Sequence, residues 1–139
     1  MPQDPRQLVE ALFDAFNRRS EERISELCDE RMEFSPVTGA LAGRSEPYVG
    51  RVGLREYLDD VERTWEELTV SAGEVLRRGD LVLVVGRVCA RSRESGMRDL
   101  PAAWIWRLRD GRFDYGRVYS ETEAALEAIA AADAGRPVA

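Results

Sequence analysis

The feature that most constrains the fold is a succession of strand-like segments between residues 68 and 119, separated by short polar turns. Asp110-Gly111 is the clearest turn, because an Asp-Gly pair between alternating segments favours a two-residue hairpin loop. Arg78-Gly79-Asp80 and the polar stretch from Arg91 to Gly96 separate the other segments. We therefore predict antiparallel strands over Leu68–Arg77, Leu81–Ala90, Arg98–Arg109 and Arg112–Tyr119.

Helical spacing of apolar residues dominates the first part of the chain. Asp4 and Pro5 are typical of a helix start, and the pattern continues to about Arg18. Ser20 can cap a second, shorter helix, and a third covers about Gly53–Glu67. The inward-facing residues predicted for these helices are Leu8, Val9, Leu12, Phe13 and Phe16, then Ile24, Leu27 and Cys28, then Leu54, Tyr57, Leu58, Val61 and Trp65.

A short strand and a final helix complete the predicted elements. Met32 and Phe34 alternate with polar neighbours, which indicates a strand over Arg31–Val37 that ends near Pro36. A loop follows to Gly50. Beyond the last strand, Ser120 can cap an alanine-rich helix running to about Asp133.

This order of elements predicts an α+β fold. The 139 residues, 44% of them hydrophobic, suit a single domain over residues 1–139 with one core. Helices gathered on one face of an antiparallel sheet form a two-layer structure. If the sheet curves around the helices as a cone, a pocket is left between its concave face and the first and third helices.

Composition excludes several classes of chemistry. All 20 basic residues are arginine, and the chain has no histidine, so serine–histidine catalysis, imidazole–zinc sites and lysine Schiff bases are impossible. A phosphate-binding glycine loop is also missing, and we expect no cofactor or metal. The arginines are interleaved with acids, and the net charge is −6, so we expect no nucleic-acid partner.

The cysteines and the apolar runs indicate a cytoplasmic protein. Cys28 and Cys89 lack the spacing of a metal or redox motif, which favours two small buried residues over a disulfide. The run from Leu81 to Val85 is too short to cross a bilayer, and the N-terminus lacks the pattern of a signal peptide. We therefore expect no membrane partner.

Four segments, in this order and spacing, resemble the nuclear transport factor two-like superfamily in its SnoaL-like branch. They are Glu33-Phe34-Ser35-Pro36-Val37-Thr38-Gly39, Tyr48-Val49-Gly50 with Gly53-Leu54-Arg55-Glu56-Tyr57, Trp106-Arg107-Leu108-Arg109-Asp110-Gly111-Arg112, and Arg117-Val118-Tyr119-Ser120-Glu121 with Ala124-Ala125-Leu126. The resemblance covers nearly the whole chain. It implies an open cone with an internal pocket, and a dimer formed through the convex face of the sheet.

The known chemistries of that superfamily are mostly missing at the matching positions. Where ketosteroid isomerases have a general-base aspartate, an oxyanion-hole tyrosine and a protonated aspartate, this chain has Ser35, Phe13 and Trp104, so the isomerase reading fails. Val118 replaces the water-activating aspartate of limonene epoxide hydrolases. Glu121 is the nearest match to the acid of SnoaL-like polyketide cyclases, and its alternative role is to stabilise the first turn of the last helix.

The resemblance also assigns residues to the pocket and to the dimer. The predicted pocket residues are Phe13, Phe16, Ser35, Tyr57, Trp65, Trp104, Trp106 and Val118. They could form an aromatic wall for a small apolar ligand, or they could simply fill the cone. Alternation in the last strand puts Asp114, Gly116, Val118 and Ser120 on one face, which by the resemblance is the face toward the pocket. It places Tyr115, Arg117 and Tyr119 on the opposite face, which is either a homodimer interface or an ordinary solvent-facing surface.

Three functions remain open on this reading. The first is binding of a small apolar molecule, without an assigned reaction. The second is a cyclase-, isomerase- or hydrolase-type enzyme that uses Glu121 or another pocket carboxylate. The third is a structural or interaction dimer with a filled cone.

Overall fold

The secondary structure follows the periodicity of the sequence along most of the chain. The computed structural model describes residues 4–35, 46–92 and 96–133, and these form four helices and a six-stranded sheet. The elements are α1 Pro5–Asn17, α2 Glu21–Leu27, β1 Cys28–Ser35, β2 Tyr48–Val49, α3 Gly50–Thr64, β3 Glu67–Arg78, β4 Leu81–Arg91, β5 Met97–Arg109, β6 Arg112–Tyr119 and α4 Thr122–Asp133. Pro36 and Val37 of the first predicted strand lie outside the described residues.

The sheet has the order β2-β1-β6-β5-β4-β3 and is not closed. Strands β3 to β6 are antiparallel neighbours, as predicted. β1 instead joins β6 in parallel, so the sheet is mixed rather than wholly antiparallel. No short hairpin links these two strands, and therefore no turn imposes an antiparallel direction on them.

The helices begin where side chains cap them. The Asp4 carboxylate accepts a hydrogen bond from the backbone N–H of Arg6, and the Ser20 hydroxyl accepts one from that of Arg23. α3 starts three residues earlier than predicted, at Gly50, whose φ of +67° allows the chain to turn directly from β2 into the helix. No described helix is both long and apolar enough to cross a membrane.

The two faces of the sheet carry different helices. On the concave face, α1 contributes to a core that contains Trp104 and Trp106 of β5. On the opposite face, α4 packs Ala125 and Ile129 against residues of β4, β5 and β6. Because β5 lies between these layers, its side chains alternate between the two cores.

The corner between α1 and α2 is fastened to the edge strand β3. Asn17 exchanges two hydrogen bonds of 2.9 Å with the backbone of Val70. The Arg19 guanidinium donates to the backbone carbonyls of Phe16 and Leu68, each at 2.6 Å, and lies 4.4 Å above the Phe16 ring. These contacts hold α1 against the sheet and so define one side of the space beneath it.

Candidate ligand-binding cavity

A cavity of about 350 Å³ opens between the concave face of the sheet and helices α1, α2 and α3. Its volume lies at the lower end of the range of roughly 300–1,000 Å³ that is typical of small-molecule sites. The apolar lining residues are Leu12, Phe13, Phe16, Ile24, Met32, Phe34, Leu54, Val70, Trp104 and Trp106. The other lining residues are Ser25, Glu26, Cys28, Asp29, Glu30, Tyr48, Gly50, Arg51, Tyr57 and Arg112.

A stacked pair of rings forms the wall of the cavity on the sheet. Gly116 pairs with Trp106 on one side and with Phe34 on the other, so the three residues form a row across β5, β6 and β1. Because Gly116 has no side chain, the Trp106 ring lies across it and stacks on Phe34, with centroids 5.4 Å apart and planes 5° apart. The result is a stacked aromatic pair in the wall of the cavity.

Helices α1 and α3 extend this aromatic lining. The Phe16 and Tyr57 rings are stacked with centroids 5.7 Å apart and planes 22° apart. Tyr57 also meets the edge of Phe34 at 5.1 Å, and Phe13 contacts Trp104 at 4.8 Å. The lining is therefore a continuous set of rings, suited to contact with a flat apolar molecule.

The inner polar groups of the cavity are uncharged at neutral pH. Burial raises the pKa of the Tyr57 hydroxyl above its ordinary value, and burial raises the pKa of the Cys28 thiol to about 12. Among the described residues, none hydrogen-bonds the Tyr57 hydroxyl. The neighbouring Tyr48 hydroxyl, in contrast, donates to Asp60 at 2.6 Å.

Charged side chains lie at the opening of the cavity. Glu26, Glu30, Arg51 and Arg112 are exposed to solvent, and Asp29 is half-buried. The rim therefore carries both signs of charge around an uncharged interior. Within the described ranges, no group of three His, Cys, Asp or Glu side chains is arranged to hold a metal ion.

Five of the predicted pocket residues come together in the lining: Phe13, Phe16, Tyr57, Trp104 and Trp106. Three others do not line the cavity. Alternation along β1 turns Phe34 to the cavity, which places Ser35 on the opposite face. Trp65 follows the last residue of α3 and packs with Tyr48 and Leu68 in a cluster that also contains Tyr57. Val118 packs into the core beside its β5 partner Trp104.

The predicted acids also lie outside the cavity. Glu121 is exposed, lies beyond the end of β6 and is not among the residues that line the cavity. Asp114 lies at an irregularity in the β5–β6 register, where strict alternation fails. Its carboxylate accepts a hydrogen bond from Arg107 at 2.7 Å on the face away from the cavity. Ser120 follows β6 and is exposed.

Several lining residues were missed from the sequence. Phe34 carried a usable signal, because the same alternation that defined β1 places it on one face with Met32. Cys28 was predicted to face inward from α2, whereas it is the first residue of β1 and lines the cavity. Leu54 was assigned to an apolar helix stripe, and nothing in that stripe distinguishes cavity-lining residues from core residues.

Helix α4 covers part of the face assigned to the dimer. Tyr119 is only 9% exposed and packs in the core beneath α4. Tyr115 and Arg117 are half-buried. The Arg107 guanidinium lies 5.6 Å from the Tyr115 ring, and that of Arg117 lies 5.2 Å from the Tyr119 ring. A homodimer through this face stays a prediction, and α4 would lie at its border.

Comparison with known proteins identifies the fold. Residues 9–115 match the family model of the SnoaL-like domain. A nuclear transport factor two-like protein of unknown function from Burkholderia pseudomallei is 16% identical, with a TM-score of 0.75, over 88% of this chain and 94% of that one. No curated protein matches the chain significantly in sequence.

Two further solved structures share the fold. TerC, co-crystallised with polyporic acid, is 23% identical, with a TM-score of 0.75, over 87% of this chain and 94% of that one. IdmH from Streptomyces antibioticus, a candidate polyketide cyclase, is 20% identical, with a TM-score of 0.70, over 84% and 91% of the two chains. At these identities the likeness concerns the fold.

Proposed function

We propose that this chain, which belongs to the SnoaL-like domain family, binds a small, largely apolar molecule in the cavity between the sheet and its helices. The observation that carries the proposal is an open cavity of about 350 Å³ lined by a continuous set of aromatic rings. Burying apolar ligand surface there contributes about 25 cal/mol per Å² before the costs of binding are subtracted. The co-crystallisation of TerC with polyporic acid supports a small organic ligand.

The position of the tryptophans provides the test. Trp104 and Trp106 line the cavity, whereas Trp65 does not. A variant that keeps only Trp104 (W65F/W106F) should therefore show a saturable fluorescence change when titrated with a steroid, a monoterpene or an aromatic polyketide. A variant that keeps only Trp65 (W104F/W106F) should show little change with the same ligand.

The wild-type protein provides the decisive control, because it avoids any loss of stability in the variants. If none of the three ligand classes gives a saturable change in wild-type fluorescence, binding of an apolar molecule in this cavity is contradicted. An equal response from the two variants would mean that the ligand is no closer to Trp104 than to Trp65, which contradicts binding against the β5 wall. Far-ultraviolet circular dichroism establishes that each variant is folded.

A second candidate function is acid–base catalysis by a carboxylate at the cavity opening. Asp29 supports it, because this half-buried acid lines the cavity while Glu121 does not. A carboxylate within reach of a bound molecule can transfer a proton to or from it. The two candidates differ in what becomes of the ligand: a binding protein returns it unchanged, whereas an enzyme converts it. Chromatography of each ligand after incubation with the protein separates them.

A further inference from the structure

One polar group of the cavity is a tyrosine hydroxyl on α3 that no described residue hydrogen-bonds. Tyr57 is 8% exposed and lines the cavity, and it is surrounded by the rings of Phe16, Phe34 and Tyr48. Nothing in the described part of the chain hydrogen-bonds its hydroxyl. The hydroxyl is therefore available to donate to a molecule that enters the cavity.

This hydroxyl acts as a donor at neutral pH. Burial keeps it protonated, as described above. Tyr48, the nearest comparable group, already donates to Asp60. Trp106 also has an indole N–H without a partner, but that nitrogen is fully covered by its surroundings. Tyr57 is therefore the group on this wall best placed to donate to a bound molecule.

The surroundings of Tyr57 restrict the chemistry of the group it meets. The charged lining residues lie at the opening, and the inner wall is aromatic and aliphatic. Arg19, whose charge acts on Tyr57, does not line the cavity and already donates to two backbone carbonyls, so an ionised group placed there would lose its hydration without a lining cation to pair with. An uncharged acceptor, such as a ketone or quinone oxygen, loses little hydration and satisfies the hydroxyl.

The aromatic rings around Tyr57 restrict the shape of the part of the ligand that meets them. The Trp106 and Phe34 planes are 5° apart, and the Phe16 and Tyr57 planes are 22° apart. A planar ring system can stack in an offset arrangement on rings of this kind, which a bulky aliphatic one cannot do. Resting on the proposed function, we infer that the ligand carries a flat, uncharged ring system with a carbonyl-type acceptor, and that Tyr57 donates its hydroxyl hydrogen to that acceptor.

Two probes of nearly identical shape test this inference. 9-Fluorenone and fluorene are flat three-ring molecules that differ by one carbonyl oxygen. Equilibrium dialysis of each against wild-type protein should give about tenfold tighter binding of 9-fluorenone, which corresponds to one net hydrogen bond. In Tyr57→Phe the preference should disappear, with fluorene affinity unchanged, because the ring remains and only the donor is lost.

Tyr115→Phe is the matched control, since that residue lies on the opposite face of the sheet, and it should keep the wild-type preference. If wild-type protein binds both probes equally, or if Tyr57→Phe keeps the preference, the inference is overturned while the cavity remains a binding site. If wild-type protein binds neither probe, the inference is overturned, and the fluorescence titration with other ligand classes decides the proposed function separately.

Discussion

Gly116 shapes the cavity because it has no side chain. It lies between Trp106 and Phe34 in the sheet, and the two rings meet over its backbone. A methyl group built at this position would overlap ring atoms Cε3 and Cζ3 of Trp106. Pairing a glycine with a large ring in this way covers exposed backbone and stabilises the sheet. The position of Trp106 in the cavity wall thus depends on the glycine against which its ring lies.

We expect Gly116→Ala to push Trp106 away from β6 and toward the cavity. Overpacking of this kind costs about 1–3 kcal/mol of unfolding free energy. The cavity should also shrink, so that a ligand identified by the titration binds more weakly. Chemical denaturation and the same titration measure the two effects.

Gly96 offers the matched control. A Cβ atom built on Gly96 would have no heavy atom within 4 Å, and the φ angle of Gly96 is not positive. Gly96→Ala should therefore change the unfolding free energy by less than about 0.5 kcal/mol. Equal stability of Gly116→Ala and wild-type protein would contradict the contact between Gly116 and Trp106.

Individual site residues were only partly predictable from the sequence. Phe13, Phe16 and Tyr57 could be found because helical spacing selects an inward face. Asp114 could not be placed, because one irregularity in the pairing of β5 with β6 changes which face a residue occupies. Pairing irregularities arise from contacts between strands, and the periodicity of a single strand does not contain them.

At the scale of elements, the corner between α1 and α2 is one of the attachments that hold the helical layer to the edge of the sheet, and the Arg6 hydrogen bond to the Gly73 carbonyl is another. Arg19 has a left-handed backbone with φ of 56°, which is unfavourable for a residue with a side chain. Its two hydrogen bonds to backbone carbonyls offset that cost. Because one of the carbonyls belongs to β3, the corner and the edge strand stabilise each other.

Replacement of Arg19 should separate these two contributions. Arg19→Ala loses both hydrogen bonds and keeps the strained backbone, so we expect a loss of about 2 kcal/mol of unfolding free energy. Arg19→Gly loses the same bonds but relieves the strain, and it should be about 1 kcal/mol more stable than Arg19→Ala. Urea unfolding of the two variants gives the comparison.

Arg18→Ala is the neighbouring control. Its side chain is 74% exposed and pairs with an exposed Asp14, so its loss should cost less than about 0.5 kcal/mol. If Arg19→Gly proved less stable than Arg19→Ala, the left-handed strain would not be a significant term. If Arg19→Ala matched wild-type protein, the two hydrogen bonds would contribute nothing measurable.

Most elements were predictable because each is defined by local signals. The strands β3 to β6 are separated by turn residues, and α1 and α2 begin at capping side chains. The two-residue strand β2 was predicted as loop, since an element so short has no periodicity. The parallel pairing of β1 with β6 was also missed, because no turn between them records their direction.

For the whole molecule, the sheet separates two surfaces with different roles. One face carries the cavity, and the other carries α4 over Leu83, Ala103, Ile105 and Tyr119. Burial raises the pKa of both Tyr115 and Tyr119 above the ordinary tyrosine value. Both therefore stay neutral at physiological pH, and a contact between copies at this face would not bury a tyrosinate charge.

We expect a homodimer that uses the part of this face beside α4. Tyr115→Glu should then give a monomer, because the new carboxylate would be desolvated at the interface. Light scattering coupled to gel filtration measures the mass. Glu22→Arg, which changes an exposed charge on α2, should leave the dimer intact. A monomeric mass for the wild-type protein would rule out the dimer, and an unchanged dimer in Tyr115→Glu would place the interface elsewhere.

The parallel pairing of β1 with β6 has a consequence for the order of folding. Strands β3 to β6 follow one another through short turns, so they can associate with little loss of chain entropy. Phe34, in contrast, pairs with Gly116, and these two residues are separated by more than half of the chain. We therefore expect the meander to form early and the stack of Phe34 on Trp106 to form late. The cavity would then exist only in chains that have completed this slow step, so that a ligand binding there would select fully folded molecules.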